Sequence, residues 1–251
     1  MIETIEVPNG GYRYMPGVFQ YSCGVGALPG FALVRVRFSK VVPLKTGFAK
    51  IAEIIKADGR PLTAFAACEL RSPAPFTEQG FVDFNEIYIK TLEEWGIMKD
   101  RVNPIARSNV CPKLDPPSEP GFYAFTYAIE AKDAPASFVV AGSGESVEGK
   151  ANYRDHIVRL GDTSPSAMLD KAKFVLAEME RRMSAFGGDW SQTTGAQLYT
   201  VQDVYALLES ELGARGVFRN GLTWHFNRPP VENLEYEMDC RRVHIERVVE
   251  V

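Results

Sequence analysis

The chain reads as an α+β protein built from two tandem copies of one unit, each a mixed β-sheet with two helices on one face. Three observations predict this. Period-two alternation (Val34, Val36 and Phe38 against Arg35 and Arg37) gives way to helical spacing (Phe48, Ile51, Ala52, Ile55) and then returns. The order strand–helix–strand–helix–strand–strand is written twice. In both copies an arginine in a short, mostly apolar stretch follows a helix and precedes a Pro-rich turn. The first such stretch is Ile105-Ala106-Arg107-Ser108-Asn109-Val110, before Pro112, Pro116 and Pro117; the second is Phe218-Arg219-Asn220-Gly221-Leu222-Thr223-Trp224, before Pro229 and Pro230.

Residues 1–20 form a leading segment with few periodic apolar positions. A half-buried strand starts at Phe31, and the helix through Phe48 and Ile55 stops at Ala57-Asp58-Gly59. Ala64 to Leu70 is a short apolar strand. Phe81, Phe84, Ile87, Tyr88, Leu92 and Trp95 make a wide stripe on a second helix that ends at Gly96. The Arg107 strand follows, and Phe122 to Ile129 closes the unit. Residues 131–137 read as a linker, so the two units are 1–130 and 137–251. The second unit has a strand from Ser137 to Ala141 and a long helix lined by Leu169, Ala172, Val175, Leu176, Met179, Met183 and Phe186. A strand from Gly195 to Thr200, a shorter helix through Val204, Leu207, Leu208 and Leu212, the Arg219 strand and a last alternating strand, Leu234 to Asp239, complete it. Gly59 to Gly188 and Leu70 to Tyr199 are each 129 residues, Tyr88 to Tyr205 is 117, and Arg107 to Arg219 is 112. The shrinking offset places the deletions in loops. Two helices cover one face of a sheet only, so another copy is expected to bury the other face, and the protein is expected to be a homo-oligomer.

A formal net charge of −4 and a pI near 5.6 exclude nucleic acid as the main partner, since no basic block exists to neutralise phosphates. No apolar run is long enough to span a bilayer and the first residues lack a signal-peptide pattern, so no membrane partner and a cytoplasmic location are expected. Cys23, Cys68, Cys111 and Cys240 have no CxxC spacing, and His156, His225 and His244 have no HxH or HExxH spacing, so no protein-built metal site is expected. There is no GxSxG elbow, P-loop or GxGxxG; Ala141-Gly142-Ser143-Gly144-Glu145 is Gly-rich but makes a weak phosphate cradle, as no helix follows directly.

Taken in order, several stretches resemble the RidA (YjgF) family of small trimeric enamine/imine deaminases with a chorismate-mutase-like fold. Phe19-Gln20-Tyr21-Ser22-Cys23-Gly24-Val25 is similar to its GPYSQAV segment, and Ser143-Gly144-Glu145 to its SGQ motif. Asp83-Phe84-Asn85-Glu86-Ile87-Tyr88 resembles NEVY, Ala106-Arg107-Ser108 the PARS arginine, and Leu234-Glu235-Tyr236-Glu237 the closing VEIE strand. The motifs are unevenly shared. The first copy has Phe31 to Ser39 in place of SGQ and Phe122-Tyr123-Ala124 in place of VEIE; the second has Phe218-Arg219-Asn220 in place of PARS. The resemblance implies two tandem RidA-like domains, three chains forming a trimer that is a pseudo-hexamer of domains, and no cofactor. The duplicated form resembles the aminomuconate and chloroaminomuconate deaminases of nitroaromatic degradation. The implied activity is hydrolysis of a 2-aminomuconate-type dicarboxylate to the 2-oxo or 2-hydroxy acid and ammonia. A non-enzymatic protein of this fold that binds small acids, and a chorismatase-like hydrolase, are the alternatives.

The chemistry fits the residue types. The resemblance makes Arg107 the carboxylate grip, with Arg219 its diverged counterpart; an arginine fork holds a carboxylate bidentately and fixes its plane. Glu237 or Glu145 is suited to hold or deprotonate a water if burial raises its pKa. Glu237 shares its strand face with Glu235 and Asp239, a pattern equally suited to a solvated face. Tyr21 is a proton donor or a packed aromatic, Ser143 a substrate-binding hydroxyl, and Trp224 a pocket wall; His225 is read as structural. The uneven motifs predict one working site per chain. It would join Arg107 to second-copy groups at an interface between domains, while Tyr21 would fall on the Arg219 side.

Overall fold

A computed structural model describes residues 2–251. Two mixed sheets each carry helices on one face. The first is built from β4 (Phe31–Pro43), β5 (Phe65–Arg71), β6 (Ala106–Pro112) and β7 (Gly121–Glu130), with α1 (Leu44–Ala57) and α2 (Glu78–Glu94) against it. The second is built from β8 (Phe138–Gly144), β9 (Gly195–Tyr199), β10 (Leu222–His225) and β12 (Glu237–Arg242), with α3 (Pro165–Ser184) and α4 (Tyr205–Leu207). The strand order β4-β7-β5-β6 in one is repeated as β8-β12-β9-β10 in the other, with β6 parallel to β5 and β10 parallel to β9.

Local chemistry sets the helix ends. The Thr77 hydroxyl accepts the Gly80 N–H at 3.0 Å at the start of α2; Ser164 does the same for Ala167 in α3, with Pro165 in the first turn. α4 departs from the expected regular helix. After one turn it widens into a π-helical stretch, Leu208–Gly213.

Five strands lay outside the sequence reading, and three of them connect the halves reciprocally. β1 (Ile5–Val7), β2 (Tyr12–Met15) and β3 (Gly24–Ala27) extend the second sheet, where β3 pairs antiparallel with β8. β13 (Ile245–Val249) crosses the other way and lies parallel to β4, while β11 (Asn227–Arg228) caps β6. The strands within residues 5–27 therefore belong by pairing to the sheet of the later half.

The helix-free faces of the two sheets lie against each other within the chain. The expectation that a second copy must cover that face is thus met at least in part internally. Between them runs a buried polar layer. Arg35 holds Glu69 through Nε and Nη2 at 2.6 and 2.9 Å, and Gln197 Nε2 donates to Glu69 at 3.1 Å and to Asp239 at 2.9 Å. Tyr199 and Ser108 both donate to Asp239. Cys68 lies in the first core with Tyr88, as a small buried side chain.

Candidate active site

The polar layer ends in a small cavity where β6 passes over β8. Gly142 makes the approach close: a methyl group there would meet the Cα of Ser108 and collide with the Glu237 carboxylate. The Gly-rich stretch is thus a place where two backbones and a carboxylate crowd together. The cavity is lined by Tyr21, Phe81, Arg107, Asn109, Glu148, Tyr153, Val231, Leu234 and Glu237, among others, with free space of about 30 Å³. That is room for about one water.

Arg107 is 3% exposed and, among the described residues, has no carboxylate partner. Its guanidinium lies among four aromatic rings, with centroids at 4.9 Å (Tyr88), 5.3 Å (Tyr21), 5.7 Å (Phe81) and 5.7 Å (Phe84). Both Nη1 and Nη2 are buried without a hydrogen-bond acceptor. A stacked cation keeps its place through the ring faces, and an orphaned buried fork is costly unless a ligand satisfies it.

Glu237 is 4% exposed. Burial, reinforced by the negative charges of Asp239, Glu148 and Glu145, pushes its carboxyl well above the ordinary glutamate range, against the weaker pull of Arg182. It lines the same cavity as the Arg107 fork. The solvated face considered for this strand does not exist, because β12 is a central strand and the face carrying Glu237 and Asp239 is buried between the sheets.

Tyr21 completes the group. The first hairpin belongs to the second sheet, and a backbone bond from Ser22 N–H to the Ile105 carbonyl at 2.8 Å ties the following segment to β6. Tyr21 is therefore beside Arg107, not on the Arg219 side. Its hydroxyl donates to Glu148 at 3.0 Å, and burial, then Glu148, push its pKa well above the normal value. Glu148 is held from behind by Arg182 at 2.8 Å. Glu148 and Tyr153 were not legible in the sequence. They lie on an irregular loop after β8 that has no periodicity to mark them, and only the fold brings them under Tyr21.

Four residues expected at the site lie elsewhere. Glu145 is turned into the protein, salt-bridged to Lys171 at 3.1 Å and accepting the N–H groups of Glu235 and Tyr236 at 2.7 and 3.1 Å. That pins the loop before β12, so Glu145 has no free oxygen face toward the cavity. Ser143 points to the opposite side of β8, where it accepts from Arg182 at 3.3 Å. Trp224 donates to the Thr200 carbonyl at 3.0 Å and packs on Tyr205. Arg219 is exposed on a tight turn, Val217–Asn220, ahead of β10.

The strand registers explain Arg219. Gly59 and Gly187, both just past a helix and both at φ 71°, are 128 residues apart. Leu70 and Leu198 keep that offset and both face their own helices, and Glu69 and Gln197 keep it and meet across the sheets. At 128, Cys68 corresponds to Ala196. Their parallel neighbours are Arg107 and Leu222 respectively. The counterpart of Arg107 is a leucine packed on the second core. By the same logic Tyr199 corresponds to Arg71, so the counterpart of Glu237 is Gly121.

Among the described residues, no group of three His, Cys, Asp or Glu side chains is placed to hold a metal ion, and no helix is long and apolar enough to cross a membrane. The sequence profile of the family described as "2-aminomuconate deaminase CnbZ" matches residues 4–247. A 2-amino-5-chloromuconate deaminase of Comamonas testosteroni is 51% identical over 243 residues, covering 96% of this chain and 97% of that protein. With Arg107, Glu237 and Tyr21 gathered from both halves around one cavity, and with a match that spans both halves, the chain belongs to the CnbZ family of 2-aminomuconate deaminases.

Proposed function

We propose that the protein deaminates 2-aminomuconate-type substrates, enamines conjugated to two carboxylates, by hydrolysis at the amino-bearing carbon. The observation that carries the reading is the pairing of an acceptor-less buried arginine fork with a buried carboxyl, whose pKa burial raises, in one cavity. Arg107 grips a substrate carboxylate, and the apolar wall of Phe81, Val231 and Leu234 takes the diene. Glu237 gives its proton to a substrate carbon, which turns the enamine into an imine. As the carboxylate it then takes a proton from water, whose oxygen bonds to the imine carbon. Return of that proton to nitrogen, cleavage of the C–N bond and passage of the carbinol O–H proton to Glu237 release ammonia and leave the oxo acid, so the carboxyl ends as it began. Tyr21, with its O–H directed to Glu148, offers its oxygen lone pairs to the water or the amino group.

Every step is a proton transfer or an addition to a C=N bond, which the side chains on hand can perform; the proposal is therefore a metal-independent and cofactor-free hydrolase. The doubled strand order supports reading each half as a RidA-like domain. A cytoplasmic homotrimer remains the proposed assembly. Because 30 Å³ is several-fold too small for a six-carbon dicarboxylate, the loop bearing Glu148 and Tyr153 must move aside for substrate. Family membership favours the deaminase over a mere acid-binding protein or a chorismatase-like hydrolase. The test is ammonia release from 2-aminomuconate by the pure protein: stoichiometric ammonia and oxo acid are expected. Tight binding without ammonia would sink the enzyme reading.

A further inference from the structure

The cavity holds one more unsatisfied donor that the reaction above does not use. Asn109 stands two residues after Arg107 on β6, so the two side chains leave the same face of the strand. It is 3% exposed and lines the same cavity. Its Oδ1 accepts the hydroxyl of Ser72 at 2.9 Å, and Ser72 is itself fully buried, its own N–H bound to the Val110 carbonyl at 3.0 Å. This fixes the amide so that Nδ2 has no acceptor. A lone orphan amide would be a local flaw. Here three buried nitrogens, Nη1 and Nη2 of Arg107 and Nδ2 of Asn109, lack acceptors on one strand face beside one cavity. Each would cost stability if nothing ever satisfied it, which points to a single ligand rich in acceptors.

A carboxylate has about four lone-pair positions on two oxygens, and a guanidinium fork uses one on each. Others remain for a neighbouring donor. An aliphatic residue at 109 would leave them bare, and an acidic one would repel the ligand. We propose that Asn109 is a substrate-binding residue, donating from Nδ2 to the same substrate carboxylate that Arg107 grips, and that it makes the site selective for an anionic end group. The inference rests on the deaminase reading and assigns one further residue to that site.

The test measures kcat and KM for 2-aminomuconate in Asn109→Ala and Asn109→Asp, alongside calorimetric binding of muconate, the same carbon skeleton without the amino group. Losing a hydrogen bond to a charged group should raise KM and weaken muconate binding by about ten-fold to a hundred-fold. kcat should stay within about three-fold, since Asn109 touches no bond that is made or broken. Asn109→Asp, nearly the same shape but an anion facing an anion, should bind more weakly than the alanine variant. Unchanged KM and muconate affinity in Asn109→Ala would overturn the proposal, as would a loss confined to kcat. Wild-type behaviour of Asn109→Asp would show that the amide oxygen faces the ligand and would overturn it equally. If the alanine variant fails to fold, Asn109→Ser, small and able to donate, should bind muconate better than Asn109→Asp; equal binding would refute the assignment. Wild-type protein that binds muconate yet releases no ammonia would instead sink the deaminase reading and leave the Asn109 contact to be judged on binding alone.

Discussion

The two sheets share one strand order and differ at the two positions that matter for chemistry. Where the first half has Arg107, the second has Leu222, packed on its own core; where the second half has Glu237, the first has Gly121. The strand order is shared and these side chains are not. A core tolerates exchange of one buried group for another provided volume and pattern survive, so a copy relieved of chemistry can replace a costly orphan cation with leucine. One arginine and one acid remain per chain, on different halves, and the fold brings them to one cavity.

Three experiments test that contrast. The largest effect is expected from Glu237→Gln, which keeps the shape and removes the transferable proton: kcat should fall by about 10²- to 10⁴-fold. The same variant should be more stable. Because burial raises the native pKa of Glu237 above the ordinary 4.5, the folded chain keeps a proton that the unfolded chain releases between the two values. In that window the native state binds more protons, so this group's contribution to stability falls as pH rises through it. The glutamine variant lacks that dependence, and its Tm should exceed that of the wild type at neutral pH and above. A Tm that drops equally at all pH values would mean the carboxyl is ionised and paired.

Next comes Arg107→Lys. A point charge replaces a planar fork stacked among four rings, and kcat/KM should fall at least ten-fold, about 1.4 kcal/mol. The smallest effect, none, is expected from Arg219→Ala: exposed and without a side-chain partner, it should change stability by less than about 0.5 kcal/mol and leave kcat/KM alone. Calorimetry with muconate should give one site per chain in both wild type and Arg219→Ala. Two equivalent sites would end the asymmetry argued from Leu222 and Gly121.

How far the site was legible follows from these same residues. The helices and central strands were readable because Phe48, Ile51 and Ile55, or Met179 and Met183, recur at helical spacing and face a core. Arg107 and Glu237 could be singled out because their neighbours resembled motifs. The misplacement of Arg219 has a plain cause: the offset was carried from Gly188, one residue past the glycine that ends α3, and the loop before β10 absorbed the slack. Short strands of three or four residues, such as β1 to β3, carry too little periodicity to reveal which sheet they join. Glu145 misled because a carboxylate directly after a Gly-Ser-Gly run resembles a functional motif equally well when its task is to hold backbone N–H groups. Asn109 lay in plain view beside Arg107, but an unpaired amide can be recognised only once its surroundings are known.

The strand exchange between halves has a kinetic consequence. Arg107 and Glu237 are separated by 130 residues of chain, and Tyr21 lies 86 residues before Arg107. The contacts that bring these three residues together are of high sequence separation, and such contacts form late because loop closure precedes their reward. Helices α1 to α3, by contrast, are local. After dilution from denaturant, helical signal should therefore return well before turnover does. A chain whose secondary structure is largely regained will remain inert until β3 and β12 have both seated against β8.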